Sequence, residues 1–422
     1  VREIAWGALV AVFLAGCASS TPPRAKSPPP PPAGVAPAAS NASDGAGPAT
    51  LLRDLDSPVL AGVDDRHVYW ISRKPAADTA DEPAAQVGAG RLMRVLKTGG
   101  TAETVLEPAI LAPGCGFAAD DRRIWFVEPS TDSADPSFTG AIVAVDREAP
   151  HKRVRLADRR PGACHLVAAE GRLFWTEHGD SGSDEGPAAG TARVMTARTD
   201  GSDLHVLWQS EHAQTPRGLL ADGSRLVVAL ASSERPAGPG GLGSMGQRRR
   251  NEERQKPDGD RSAVSLVSLA TPGGSPRAFP AIPVADPHDL GLAGLDGGDV
   301  LLCTPEGLFR LARDGSGAAR LAGPACPATM RAWNGWGVFA ESLTQPGALV
   351  ARRLTDQATS VEVFAHVAPF SVADVHDRDA FYACVSAEGR GPDRCDLVRV
   401  TPAVFAARSH APAGASGESP RK

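Results

Sequence analysis

The chain has 422 residues, of which 42% are hydrophobic and 22% charged. That apolar share is close to the average for globular proteins and excludes a wholly disordered chain. Its 44 basic and 49 acidic residues leave a net charge of −5, which argues against nucleic acid as the main partner.

Residues 4–16 read IAWGALVAVFLAG, an uncharged run that stops at Cys17. A membrane-spanning helix needs about 20 apolar residues, whereas the core of an export signal needs about 7–15. Small residues (Ala15, Gly16) stand just before the cysteine, where an export peptidase cuts. Leu14-Ala15-Gly16-Cys17 resembles the lipobox of bacterial lipoproteins. The resemblance implies a signal peptide over 1–16, cleavage before Cys17, and acylation of that residue, with palmitate as a typical acyl group. The lipid bilayer then becomes a partner. An ordinary signal peptide that happens to contain a cysteine is the alternative. Each buried acyl methylene contributes about 0.8 kcal/mol, so two or more chains anchor where one does not. Ala18 follows Cys17 in place of Asp, which by the same resemblance implies the outer membrane, facing the periplasm or the surface.

Residues 17–49 carry the lipidated cysteine and a linker rich in Pro, Ala and Ser. Such a segment buries too little apolar surface to offset its ordering entropy. Its proline run is extended, at about 3.1 Å per residue, and acts as a spacer. Residues 409–422 read as a second disordered tail.

Between these lies one pattern, repeated from residue 50 to 408. A small or apolar stretch leads to an Asp/Gly turn, then to an aromatic-rich strand, an insert, and two further strands. The first copy is VLAGVDDRHVYWISR…GRLMRVLKTGGTAETVLE; the next two begin CGFAADDRRIWFVEP and CHLVAAEGRLFWTEH. Short alternating or apolar runs bounded by Gly, Asp and Pro predict strands and hairpins. Fainter copies start at Arg217, Asp289, Ala328 and Phe370, and the last has three strands only. The segment 50–56 (TLLRDLD) is expected to supply its missing outer strand and so close a ring. Seven such units predict an all-β, seven-bladed β-propeller, with six blades as the alternative. The recurring pairs Tyr69-Trp70, Trp125-Phe126, Phe174-Trp175 and Phe381-Tyr382 resemble YWTD/NHL-like propeller repeats, most closely those of bacterial lipoproteins. These aromatics are expected to pack between blades.

Of the seven cysteines, Cys17 is assigned to the lipid, leaving six for disulfides in an oxidising compartment. No pair has C-x-x-C spacing, which disfavours zinc or redox use. Aligning the second and third units places Cys115 over Cys164 and predicts a bond between them. Cys384 and Cys395 flank one hairpin turn; Cys303 and Cys326 remain as the third pair.

Units one to four carry enlarged connections between their second and third strands, at 73–90, 129–139, 178–190 and 232–261. By the resemblance, these emerge on the face where inner strands begin, the usual ligand face of a propeller. The largest holds Arg248, Arg249, Arg250, Arg254 and Lys256. His165, His288 and Arg217 are the ligand-binding candidates near the channel mouth.

Three other motifs lack their required setting. Gly238 to Gly243 fits G-x-G-x-x-G but has no preceding strand or following apolar helix. Gly179-Asp-Ser-Gly182 lacks the paired His and Asp of serine catalysis. Glu177, Asp180, Asp184 and Glu185 cluster without EF-hand spacing, so a calcium site is the only cofactor alternative to none, and no metal ligand set is predicted. The three asparagines, Asn41, Asn251 and Asn334, cannot assemble a lactonase-like metal site. His165, His288 and Glu170 are the residues a lyase-like channel would use; no catalytic residue is assigned. The sequence therefore points to an envelope-anchored, non-enzymatic binding or scaffold propeller for a protein or surface polymer. A channel-mouth lyase or hydrolase is the alternative.

Overall fold

A computed structural model of the chain describes residues 48–56, 58–73, 90–111, 115–129, 139–178, 191–232, 262–270, 275–284, 290–294, 298–304, 306–321, 330–333, 335–340, 347–354, 360–367, 380–386 and 394–404. Cys17, His288, Cys326, the basic loop at 248–256, and the segments 1–16 and 409–422 lie outside these residues, and so does all of 17–49 except its last two positions.

The chain opens with β1 (Ala49–Asp56). The first complete sheet then runs through β2 (Pro58–Val63), β3 (His67–Arg73), β4 (Gly90–Leu96) and β5 (Glu103–Ala109). The second is β6 (Phe117–Ala119), β7 (Arg123–Pro129), β8 (Thr139–Asp146) and β9 (Arg153–Pro161). The third is β10 (Cys164–Ala169), β11 (Arg172–His178), β12 (Thr191–Arg198) and β13 (His205–Ala213). In each, consecutive strands pair antiparallel from the innermost outwards.

The fourth sheet holds β14 (Thr215–Asp222), β15 (Arg225–Ser232), β16 (Ser262–Ala270) and β17 (Arg277–Ala278), with β18 (Ile282–Val284) also paired to β16. The fourth unit read from the sequence ends at Phe279; the structure places β17 within it and adds β18 beyond it as a second short outer piece on β16. Pro280 stands between the two pieces, lacks an amide proton and cannot donate to the ladder, so pairing is interrupted there. The fifth sheet is β19 (Gly291–Gly294), β20 (Val300–Thr304), β21 (Gly307–Leu311) and β22 (Ala318–Leu321).

The remaining strands are β23 (Met330–Trp333), β24 (Trp336–Ala340), β25 (Gly347–Arg353), β26 (Ser360–Val367), β27 (Phe381–Val385) and β28 (Arg394–Val400). They form one seven-stranded sheet that β1 completes by pairing with β28, as the 50–56 segment predicts. Among the described residues, its two parts, β23–β26 and β27–β28–β1, are joined by one residue pair, Val367 with Val385.

The hairpin turns between first and second strands explain the repeated Asp-Asp-Arg. Asp64 Oδ1 accepts from the amides of Arg66 and His67, and Asp120 Oδ1 from those of Arg122 and Arg123. A carboxylate that takes up two turn amides offers the chain a reason to reverse there.

Each aromatic pair sends its two side chains to opposite sides of its sheet, because strand side chains alternate. Tyr69 joins Phe117, Ile124 and Phe126 between the first and second sheets, whereas Trp70 joins Tyr382 and Leu397 on the other side. Trp125 and Trp175 share the core between the second and third sheets; Phe174 lies between the third and fourth. All eight aromatics of the four pairs are at most 2% exposed. The cluster of Trp70 with Tyr382 and Leu397 packs β27 and β28 against the first sheet, so the last strands meet the first. Successive inner strands β2, β6, β10, β14, β19 and β23 lie against one another in that order. Antiparallel meanders packed face to face and closed by the chain's first strand define an all-β fold, a β-propeller.

Near the axis the sheets converge, and small residues are required. A Cβ on Gly62 would lie 2.3 Å from Phe117 Cδ1; on Gly116, which has φ +95°, it would lie 2.5 Å from the Leu166 amide nitrogen. The second position excludes side chains twice over, by backbone conformation and by space.

Candidate functional site

The four enlarged connections leave the sheets at matched places. Arg73 pairs with Gly90, Pro129 with Gly140, His178 with Ala192 and Ser232 with Ala263, each as the last rungs before the insert. At that same end, Pro58 pairs with Ser72, Cys164 with Thr176 and Thr215 with Ala231, at the beginnings of inner strands. The register therefore places all four connections on the face where inner strands start.

On this face, among the described residues, three inner strands carry a bulge. Ala61 is the extra residue of β2, where Leu60 pairs with Trp70 and Gly62 with Tyr69. In β10, two residues, His165 and Leu166, stand opposite Trp175 alone. In β14, Arg217 is inserted between the pairs Pro216–Leu230 and Gly218–Ala229. Bulges re-aim side chains and cluster at rims. Here two neighbouring ones present His165 and Arg217, which had been singled out from the sequence.

His165 has φ +53°, the conformation its bulge demands. Its Nδ1 lies 2.9 Å from Thr176 Oγ1, and that hydroxyl is 3.1 Å from the Cys164 carbonyl oxygen. Burial, assisted by the Arg217 charge, pulls the His165 pKa down to about 4, so the ring is neutral at pH 7. Thr215 Oγ1, at the start of β14, is 3.3 Å from His178 Nε2 on β11, tying the third and fourth sheets together beside the bulges.

The Cys115–Cys164 disulfide is present and joins the entries to β6 and β10, directly next to His165. The Cys384–Cys395 bond is also present, bridging β27 and β28. Cys303 is buried and disulfide-bonded; its expected partner, Cys326, lies outside the described residues.

Two sequence readings change here. Glu170 does not join His165: it is an exposed residue with φ +51° in the turn after β10. Four residues lie between the two, and the five steps span roughly 16 Å at about 3.3 Å per residue. The extended backbone thus disassembles the lyase-like pair. Glu177, considered for calcium, is fully buried and already committed. Its Oε1 accepts from Arg160 Nε at 2.6 Å and Trp175 Nε1 at 2.9 Å, and its Oε2 from Arg193 Nε at 2.8 Å. Asp180, Asp184 and Glu185 lie outside the described residues. Among the described residues, no three His, Cys, Asp or Glu side chains gather to hold a metal ion.

This carboxylate clamp was missed from the sequence, although a signal existed. Glu128 and Glu177 follow the aromatic pairs of the second and third units at the same spacing, and Glu128 is likewise held, by Arg153 at 2.5 Å and Arg155 at 3.2 Å. Repetition of an acidic residue on a buried strand marks a position that neighbouring arginines must satisfy.

A second polar cluster lies at the opposite end of the sheets. A cleft of about 520 Å³ is lined by Arg66, His67, Arg94, Thr101, Glu103 and Arg147, among others. Arg147 bridges the first two sheets through Asp64 and Asp65, each at 2.9 Å, and Tyr69 Oη donates to Asp64 at 2.6 Å. Burial holds the His67 pKa below its usual value. The cations here are largely matched by carboxylates within the fold.

No family model matches the chain, and no curated protein matches it. Among solved structures it is similar to the AfRom2 CNH domain, at 8% identity and TM-score 0.46, covering 84% of this chain and 98% of that one. It is also similar to YCF48 bound to D1 peptide, at 12% identity and TM-score 0.42, covering 83% and 93%. A chain of the nidogen/laminin complex aligns at 14% identity and TM-score 0.34, covering 72% and 80%. The propeller assignment rests on the strand order and closure described above.

Proposed function

We propose that this chain is a seven-bladed, envelope-anchored propeller that acts as a non-enzymatic binding or scaffold domain, recognising a protein or surface polymer on its insert-bearing face. One observation carries the reading: four consecutive sheets all place their longest connection on one face, beside inner-strand bulges that present His165 and Arg217. Long connections confined to one side of a rim suit a partner better than they suit stability. Seven apolar clusters between successive units, the last linking β27 and β28 to the first sheet, support the count of seven. Acylation of Cys17 would supply the anchor. The separation of Glu170 from His165 weighs against the lyase alternative.

The reading is tested by crosslinked capture from native membranes, comparing the intact chain with one lacking 233–260. A partner retained by the first and lost by the second supports it; an identical profile from both removes the inserts from recognition. Metabolic labelling with a palmitate analogue, lost in Cys17→Ser, tests the anchor separately.

A further inference from the structure

The two neighbouring bulges bring the His165 ring within reach of the Arg217 charge. A threonine hydroxyl has one proton to give. Given to the Cys164 carbonyl, it leaves Thr176 Oγ1 as the acceptor at the 2.9 Å contact, and His165 Nδ1 as the donor. The neutral ring then carries its lone pair on Nε2, at the edge away from Thr176. His165 is only partly buried, and among the described residues the Thr176 contact is its one hydrogen bond. Arg217 sits on β14, the inner strand packed directly against β10. It has interactions of its own within the fold, and a guanidinium offers five N–H donors.

This pairing is selective in a particular way. Arg217 attracts an anion, but an unprotonated Nε2 repels any further lone pair. A fully deprotonated oxyanion such as sulfate satisfies the first group and offends the second. A ligand that satisfies both has a carboxylate and, on the adjacent carbon, a hydrogen-bond donor.

We propose that the mouth between β10 and β14 binds an α-acylamino carboxylate, its carboxylate paired with Arg217 and its amide N–H donating to His165 Nε2. Two sources share this chemistry: a free N-acyl amino acid and the C-terminal residue of a partner polypeptide. The proposal rests on the insert-bearing face being the binding face, and it names what that face would recognise.

The test titrates the full chain with N-acetylglycine and with N-acetylsarcosine, which replaces the amide proton with a methyl group. N-acetylglycine is expected to bind about tenfold more tightly, the discrimination typical of a site that loses a buried hydrogen-bond partner. His165→Leu should bind both alike, and Arg217→Met neither. Equal affinity of the unmodified chain for the two ligands, competition by sulfate at similar concentration, or no saturable binding overturns the proposal. The ligand comparison needs no variant, so it decides the matter even where His165→Leu fails to fold. An acetylated pentapeptide ending in glycine distinguishes the sources: tighter binding than N-acetylglycine indicates a polypeptide terminus, equal binding a free acid. A preserved preference, together with identical partner capture by the intact chain and the chain lacking 233–260, would sink the insert reading alone. Insert-dependent partner capture by an intact chain that shows no preference between the two ligands would sink this site alone.

Discussion

Arg160 and Glu177 belong to neighbouring sheets yet meet at two points, Nε to Oε1 at 2.6 Å and Nη2 to Oε2 at 3.1 Å. The carboxylate is fully buried, and Arg193 reaches its second oxygen from the next strand. Such a group is stable in place and costly to orphan, because removing it leaves two guanidinia without their counter-charge. Glu177→Ala is therefore expected to cost about 3–5 kcal/mol in urea unfolding. Glu128→Ala is expected to cost about 1 kcal/mol, since Arg153 and Arg155 are 41% and 52% exposed and water can take over. Equal losses at the two positions would refute this ranking.

The inner strands predict a sharp size limit. Gly116→Ala places a methyl group against the Leu166 backbone at a φ of +95°. Neither the backbone nor the conformation yields cheaply, so about 3 kcal/mol or more should be lost. Gly171, also at positive φ but with open space around it, should lose about 1 kcal/mol on the same change. Thermal midpoints of the two variants give the comparison directly.

Disulfide removal should scale with loop length. Cys115 and Cys164 are 49 positions apart in the sequence, and Cys384 and Cys395 are 11 apart. The loop-entropy model assigns about 4 kcal/mol to the first and about 3 kcal/mol to the second. Double alanine variants measured in urea should preserve that order. A non-reducing peptide map that joined Cys115 to Cys395 would contradict both bonds.

Acid should weaken the fold through His165. Its folded pKa of about 4 lies below the 6.5 of an unperturbed imidazole, so the unfolded chain binds the extra proton first. The contribution is complete above pH 6.5 and is lost as pH falls from there towards 4. The ring accounts for at most about 3 kcal/mol, less whatever its partial exposure to water relieves. His67, whose pKa burial also lowers, adds in the same direction. His165→Gln should flatten the profile between pH 6.5 and 4; an unchanged slope would place the titration elsewhere.

The ring is expected to depend on its first strand. Removing 49–56 strips β28 of its outer partner and uncovers Leu397 and Cys395, which Leu51, Leu52 and Leu55 help to cover. An open, apolar edge favours association. Hydrogen exchange should rise at β28, and sedimentation should show oligomers absent from the intact chain.

Much of this architecture was legible because it is local. The aromatic pairs, the Asp-rich turns and the spacing of apolar runs each report a strand or a reversal within about ten residues. Their repetition made even the Cys115–Cys164 bond and the closing role of 50–56 readable by register. His165 and Arg217 were legible as polar residues at the entries of inner strands. The lyase-like grouping of His165 with Glu170 was misleading for the same local reason: nearness in sequence does not survive extension along a strand. The outer edge of the fourth sheet was legible only as far as Phe279; past Pro280 a second short strand, β18, pairs with β16, which the repeat does not record.

By itself, the sequence determined the strands, their order and the side each aromatic takes, since alternation along a strand follows from backbone geometry. Tertiary structure alone decided what depends on contacts between sheets. The bulges that turn His165 and Arg217 to one face, the space that Gly62 and Gly116 must leave open, and the arginines that neutralise Glu177 all arise where separate units converge on one axis. Packing there brings together side chains from distant parts of the chain, and no local pattern records their meeting.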